Sequence, residues 1–239
     1  MKVKIGCCGF PVGRDKYYSN FGVVEIQKTF YQPPSLNTVE RWRKEAPEDF
    51  EFTLKAWQLI THPSSSPTYR RLREKIPDGL KENYGFFKPT REVFSAWEKT
   101  KKIALSLRAR MIVFQCPASF KANKTNIQNL RCFFECIISD EQFVFVWEPR
   151  GKWENGIVKS ICEEFNLVHG VDPFKQRPLS THQINYFRLH GKEGYRYRYT
   201  DQDLNYLKDC CQKSPLTYVM FNNVFMYEDA GRFKSLMQI

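Results

Sequence analysis

Eight apolar runs are spaced along this chain, and almost every one stops on polar groups. VKIGCC spans Val3–Cys8; VVEIQ ends in Glu25 and Gln27, FTLKA in Lys55, IVFQC in Gln115, LVHGVD in Asp172, YFRLHG in Arg188 and His190, and YVMFNN in Asn222 and Asn223. The run EQFVFVWEPRGKW, from Glu141 to Trp153, shows the event most clearly, with Glu148 and Arg150 closing an apolar strand. Side chains alternate along a strand, so Val24 and Ile26 oppose Glu25 and Gln27, and Phe52 and Leu54 oppose Thr53 and Lys55. A barrel strand is covered on both faces, which leaves the polar set pointing at the barrel mouth. An ordered series of such strands describes the catalytic face of a (β/α)8 barrel. The expected architecture is α/β: a single TIM-type barrel domain over residues 1–239, close to the roughly 250 residues typical of that fold.

The connections sharpen this expectation. Helical signals follow strands two to five: SLNTVERWRKEA from Ser35, REVFSAWEKTKKIALSL with Val93, Trp97, Ala104 and Leu107 at helical spacing, TNIQNLRCFFECII with Thr125 and Gln128 as a capping-box pair, and a helix from about Glu154 to Phe165. Thr200 and Asp203 repeat the capping-box pattern before strand eight. Too few residues separate strands one and two, or six and seven, so those crossovers are expected to be irregular. Residues 57–89 form the longest connection, expected as a mobile or partly helical flap on the carboxyl side. Its cluster of Arg70, Arg71, Arg73 and Lys75 reads either as a solvated helix face or as a binding stripe.

Lys and Arg outnumber Asp and Glu by 37 to 26, a net charge of +11. Anionic partners are therefore expected, either a small phosphorylated substrate or nucleic acid. GYRYRYT, which interleaves tyrosine and arginine at Gly194–Thr200, is able to stack bases and neutralise phosphates if its rings are exposed, or else only to wall the site. No apolar run approaches the roughly 18 residues of a membrane span, and a secretory signal is not recognisable, so no membrane partner and a cytoplasmic location are expected. The eight cysteines are expected as reduced thiols. Cys132 and Cys136, four apart on a helix, read as two buried side chains or half a metal site; a chemical role for Cys7, Cys8 or Cys116 at strand exits stays open.

The stretches EIQKTFYQPP, FTLKAWQLITH, VFQCPASF, WEPRGKW, YFRLHG and FNN, in that order, resemble the YecE-like family, a domain of unknown function with a TIM-barrel fold. The resemblance runs from IGCCGF to FNN. It implies that the family's recurrent polar positions map to Glu25, Thr29, Tyr31, Lys55, His62, Gln115, Glu148, Arg150, Arg188, His190 and Asn223. Where members of the family often carry a Ser-Trp pair after the arginine, this chain has Lys152 and Trp153.

Three chemistries fit the polar set. In hydrolysis of a phosphoester, Glu148, His190 or Glu25 acts as the catalytic acid or base, while Lys55, Arg150 and Arg188 hold the anion, with His62, Gln115, Tyr31, Tyr199, Asn222 and Asn223 completing the substrate contacts. In a metal-dependent sugar isomerase or nuclease-like enzyme, Asp172 with Glu25 and Glu148 holds a divalent metal. The third is a non-catalytic nucleic-acid-binding module. A purely structural alternative is a neutralising charge network that caps the core.

Overall fold

The computed structural model describes residues 1–139 and 142–238; Glu141 at the head of the fifth apolar run and Ile239 at the chain end lie outside them. Eight strands, β1 (Lys2–Cys8), β2 (Val23–Ile26), β3 (Glu51–Lys55), β4 (Met111–Gln115), β5 (Val144–Glu148), β6 (Val168–Val171), β7 (Ile184–Leu189) and β8 (Leu216–Phe221), form one closed barrel in chain order. Every neighbouring pair is parallel, with β8 closing on β1. This is a (β/α)8 TIM barrel.

Two cores follow from the alternation. Inside the barrel, Cys8, Val23, Met111, Val113, Val146, Val168, Tyr186, Tyr218 and Met220 pack together. Outward-facing side chains such as Val24, Leu54, Phe114 and Trp147 join the helices in a second, larger core. There Phe87, Phe114, Phe133 and Phe134 pack edge to face or tilted, with ring centroids 5.3–6.0 Å apart, a geometry favoured by the ring quadrupoles.

The helices of this outer layer begin where short polar side chains satisfy the first backbone N–H groups. Ser35 caps α3 (Leu36–Glu45), Thr90 caps α5 (Arg91–Leu107), and Thr200 with Asp203 makes a capping box on α8 (Asp201–Cys211). On α6 (Lys124–Ile137) the cap is Asn123, which accepts from Asn126 N at 2.8 Å, and not Thr125. Cys132 is half-buried and Cys136 exposed, so this pair is neither two core side chains nor a closed metal site. The β5–β6 crossover is α7 (Asn155–Glu164), and α9 (Met226–Met237) closes the chain.

The first crossover holds only the short α1 (Arg14–Tyr18), and 172–183 contains no helix. Where a sixth helix would lie there is a cavity of about 440 Å³ against Asn185, Phe187, Tyr206 and Cys210. Gly170 on β6 faces the interior; a Cβ there would meet Val146 Cγ1 at 2.8 Å and Glu148 Cβ at 3.4 Å. Lack of a side chain at this position is what gives Glu148 room.

After β2 comes the single turn α2 (Lys28–Tyr31); after β3 the chain runs through α4 (Gln58–Thr61) and two 3-10 turns, Pro67–Arg71 and Asp78–Asn83. This segment is bonded down. Tyr69 OH donates to His62 O at 2.8 Å, Gln58 Nε2 to Tyr31 O at 2.9 Å and Thr68 O at 3.3 Å, and Arg73 N to Gln32 Oε1 at 3.0 Å. Gly85 (φ +80°) lies against His62, whose carbonyl oxygen would be 2.2 Å from an added Cβ. The Arg71 guanidinium lies 4.2 Å from the Tyr31 ring centroid.

Candidate active site

At the carboxyl end of β7 the inward parity brings Arg188 over the barrel axis, 1 % exposed and fully committed to two carboxylates. Its Nε and Nη2 donate to Glu25 Oε2 and Oε1 at 2.9 and 2.7 Å, and its Nη1 donates to Glu148 Oε2 at 2.5 Å. Bidentate geometry of this kind makes charge-assisted bonds strong and directional. Glu25, 0 % exposed, also accepts from Tyr186 OH at 2.9 Å and from Gln27 Nε2. Tyr186 OH is in turn 2.7 Å from Thr53 Oγ1. Alternation places Tyr186 on the same face of its strand as Arg188, but its bond to a carboxylate across the barrel is visible only in the fold.

The other oxygen of Glu148 takes Arg150 Nε at 2.9 Å, and Arg150 Nη2 donates to His190 Nε2 at 2.8 Å. Since a guanidinium can only donate, His190 Nε2 is the acceptor, and its Nδ1–H donates to Arg188 O at 3.0 Å. The imidazole is thereby fixed as the neutral Nδ1–H tautomer. Burial first, with Arg188 and Arg150 opposing a further positive charge, lowers its pKa to about 3. For Glu148, burial would raise the pKa, but Arg188, Arg150 and His190 outweigh it and hold the carboxyl at about 2. Neither is therefore an effective general base near neutral pH. Arg188 has no unspent face for a substrate. Arg150 does: its side chain is 41 % exposed, and among the described residues its Nη1 makes no bond to the protein.

Lys55, at the end of β3, forms a second arm. It is 6 % exposed, and its Nζ donates to Gln115 Oε1 at 2.7 Å and lies 3.5 Å from the Phe30 ring centroid. Gln115 is oriented by its own Nε2, which donates to Cys116 O at 2.6 Å. Thr29 Oγ1 bonds Lys55 O at 2.7 Å and so fixes α2, which carries Phe30, against β3. No carboxylate forms an ion pair with Lys55 among the described residues, and its pKa is lowered to about 7, chiefly by burial and next by Arg188. His62 also packs against Phe30 in a T-shaped pair, ring centroids 4.8 Å apart, with Nδ1 2.8 Å from Thr61 Oγ1. Burial, then Lys55 and Arg150, lowers its pKa to about 3.

The remaining candidates fall elsewhere. Asp172 Oδ1 accepts from Phe174 N at 3.1 Å while Oδ2 is buried without a partner, and burial raises its pKa. Among the described residues no three His, Cys, Asp or Glu side chains form a group able to hold a metal ion. The expected trio of Asp172, Glu25 and Glu148 is thus not assembled, because arginine occupies both glutamates. Tyr199 is buried, its OH accepting from Gly191 N at 2.9 Å and its ring packed on Phe174 and Phe221. Asn223 Nδ2 donates to Tyr197 O and Asp229 Oδ2, each at 2.8 Å, so it ties the 191–199 loop to α9 and does not face a substrate. Asn222, half-buried, donates its backbone N–H to Leu189 O at 2.8 Å. Tyr31 has its ring under Arg71. Of the three loop tyrosines only Tyr195, 53 % exposed, presents a ring to solvent; Tyr197 OH is bonded to Asp203 Oδ2 at 2.6 Å. Burial pushes the Cys7 thiol up to about 12 and raises the Cys8 and Cys116 thiols well above the ordinary range, so none is a thiolate nucleophile.

Fold and mouth together define a (β/α)8 barrel whose carboxyl face holds a buried arginine–glutamate network beside an unpaired lysine. The chain belongs to the family described as protein of unknown function DUF72, whose pattern matches residues 14–239. It is 26 % identical over 256 residues to UPF0759 protein YunF of Bacillus subtilis, covering 93 % of this chain and 84 % of that one. Crystal structures of DUF72 family proteins from Enterococcus faecalis (TM-score 0.75, 20 % identity, 99 % and 98 % of the two chains) and Thermotoga maritima (0.71, 20 %, 100 % of both) share its fold. The barrel is also shared with a D-psicose 3-epimerase (0.58, 13 %, 100 % and 98 %) and a family 2 AP endonuclease from Brucella melitensis (0.56, 10 %, 93 % of both), at identities that show fold alone. No helix among the described residues is long and apolar enough to cross a membrane.

Proposed function

We propose that the mouth is the active site of a hydrolase-like enzyme acting on a small phosphate-bearing substrate, with Arg150 as anion anchor and Lys55 as general base. The observation that carries this reading is Lys55: a buried lysine with one neutral acceptor and no carboxylate partner. A buried ammonium normally requires a counter-ion. Here the two nearby carboxylates are spent on arginines, so the amine is held close to neutrality at physiological pH. A neutral amine with a pKa near the operating pH suits proton transfer. In this reaction Nζ takes a proton from an attacking water, and the phosphorus–oxygen bond to the leaving group breaks. The Nη1 of Arg150, free among the described residues, donates to phosphate oxygens. The overall charge of +11 favours the encounter. A small substrate fits better than nucleic acid, since two of the three tyrosines at 194–200 are engaged within the protein.

The test is a screen of phosphorylated metabolites and of single- and double-stranded nucleic acids, with and without Mg²⁺, Mn²⁺ and Zn²⁺. Turnover of a phosphate compound is expected to rise through an inflection near pH 7 and to vanish in Lys55→Met. Binding and turnover of no phosphate compound, or turnover that Lys55→Met leaves intact, would defeat the reading.

A further inference from the structure

Around Lys55 the supply of hydrogen-bond acceptors is unusually small. An ammonium carries three donors. The mouth offers Nζ one acceptor, Gln115 Oε1, and an aromatic face, Phe30. The carboxylate oxygens of Glu25 and Glu148, and His190 Nε2, all accept from arginine. A nitrogen with a single N–H and a delocalised positive charge matches this site better than an ammonium does. A protonated imine of lysine is such a nitrogen: its one N–H suits Gln115 Oε1, and its flat cation suits the ring of Phe30. With both glutamates and His190 engaged by arginine, one amine that serves as both nucleophile and electron sink suits this site.

We infer that Lys55 Nζ forms a covalent imine with small aldehydes or ketones bearing an anionic group, the carbonyl carbon at Nζ and the anion at Arg150. The lone pair of neutral Nζ makes the C–N bond while the carbonyl π pair moves to oxygen. One proton passes from nitrogen to that oxygen. The C–O bond of the carbinolamine then breaks, the oxygen leaving as water with one proton taken from solvent, and the protonated imine remains. This activity rests on the reading of Lys55 as a reactive amine, and not on phosphoester hydrolysis. At pH 7 an ordinary lysine with a pKa of about 10.4 is free amine to roughly one part in 10³, whereas Lys55 is about half so.

The full chain is incubated at pH 7 with glycolaldehyde phosphate or with glycolaldehyde, each with cyanoborohydride, and the reduced adducts are located by peptide mapping. The expected result is an adduct concentrated on Lys55, formed at least about tenfold faster with the phosphorylated aldehyde, with that preference lost in Arg150→Gln. Adducts spread over surface lysines with Lys55 unmodified overturn the inference, and mapping in the unmutated chain makes this outcome independent of how any variant folds. Competitive acetylation across pH separates the two readings. Lys55 that acetylates with an inflection near 7 but gives no imine defeats the covalent step and leaves the general base standing. Lys55 that acetylates like a surface lysine defeats both.

Discussion

The two ends of the barrel solve the same problem differently. At the amino end Lys4 meets Glu51, which also accepts from Tyr218 OH at 2.8 Å; both charged side chains keep contact with solvent. At the carboxyl end Arg188 sits between Glu25 and Glu148 almost without solvent, and the charges continue outward to Arg150 and sideways to Lys55. Between them the rings of Tyr186 and Tyr218 stack at 5.6 Å within the apolar core of the barrel. A part-exposed pair costs little to form and contributes little. A buried network is expensive to desolvate, and apolar packing would often serve stability as well. The difference teaches that the amino end is a lid on the core, while the carboxyl end holds an arrangement that stability alone does not explain.

Removing Arg188 is the severest way to break this comparison. Arg188→Met leaves Glu25 and Glu148 buried beside an apolar chain and is expected to cost roughly 3–5 kcal/mol, read as a lowered denaturant midpoint at pH 7. A loss below that of an exposed pair would mean the carboxyl network is no more demanding than the amino one.

Lys55 gives the next largest effect, with the opposite sign. Its folded pKa, about 7, lies below the ordinary lysine value of 10.5, so between those values the unfolded chain binds a proton that the folded chain does not. Stability therefore rises with pH from about 7 to about 10.5, by roughly a few kcal/mol, and Lys55→Met should flatten that rise while abolishing turnover. Glu148 produces a second window. Its folded pKa of about 2 lies below the ordinary glutamate value of 4.5, so its stabilisation is present above about 4.5 and is lost as pH falls toward 2. Denaturant melts across pH for the unmutated chain and for Lys55→Met check both limbs; an unchanged upper limb would sink the assignment of Lys55.

Gly170→Ala probes the space that the carboxyl network needs. Its methyl group would meet Val146 and Glu148, and a loss of about 1–3 kcal/mol in thermal or denaturant unfolding is expected. Smallest of all is Glu51→Gln at the amino end, expected to shift stability by no more than about 1 kcal/mol and to leave the mouth unaltered. A larger loss there would erase the contrast between the two ends.

Alternation along the chain was enough to fix the barrel, because a two-residue period on strands covered on both faces leaves one parity for the interior and one for the helices. It put Glu25, Lys55, Glu148 and Arg188 on the inward parity, and the short intervals after β1 and β6 announced the irregular crossovers. Which charges pair with which was decided only in three dimensions. Sequence lists donors and acceptors, but pairing depends on distances between strands far apart in the chain, as with Arg188 and Glu25. That pairing is what turns Arg188 from a substrate contact, and Glu148 from a catalytic acid or base, into framework, and among the described residues it leaves Asp172 outside any metal-binding group and Lys55 without a counter-ion. Tyr199 and Asn223 went astray for the same reason: a strand exit or a loop position does not reveal whether α9 and the 191–199 loop will close over it. Local periodicity thus determined the scaffold and the parity that faces the mouth, and long-range electrostatics, visible only in the folded barrel, decided which charges pair and left Lys55 without a carboxylate among the described residues.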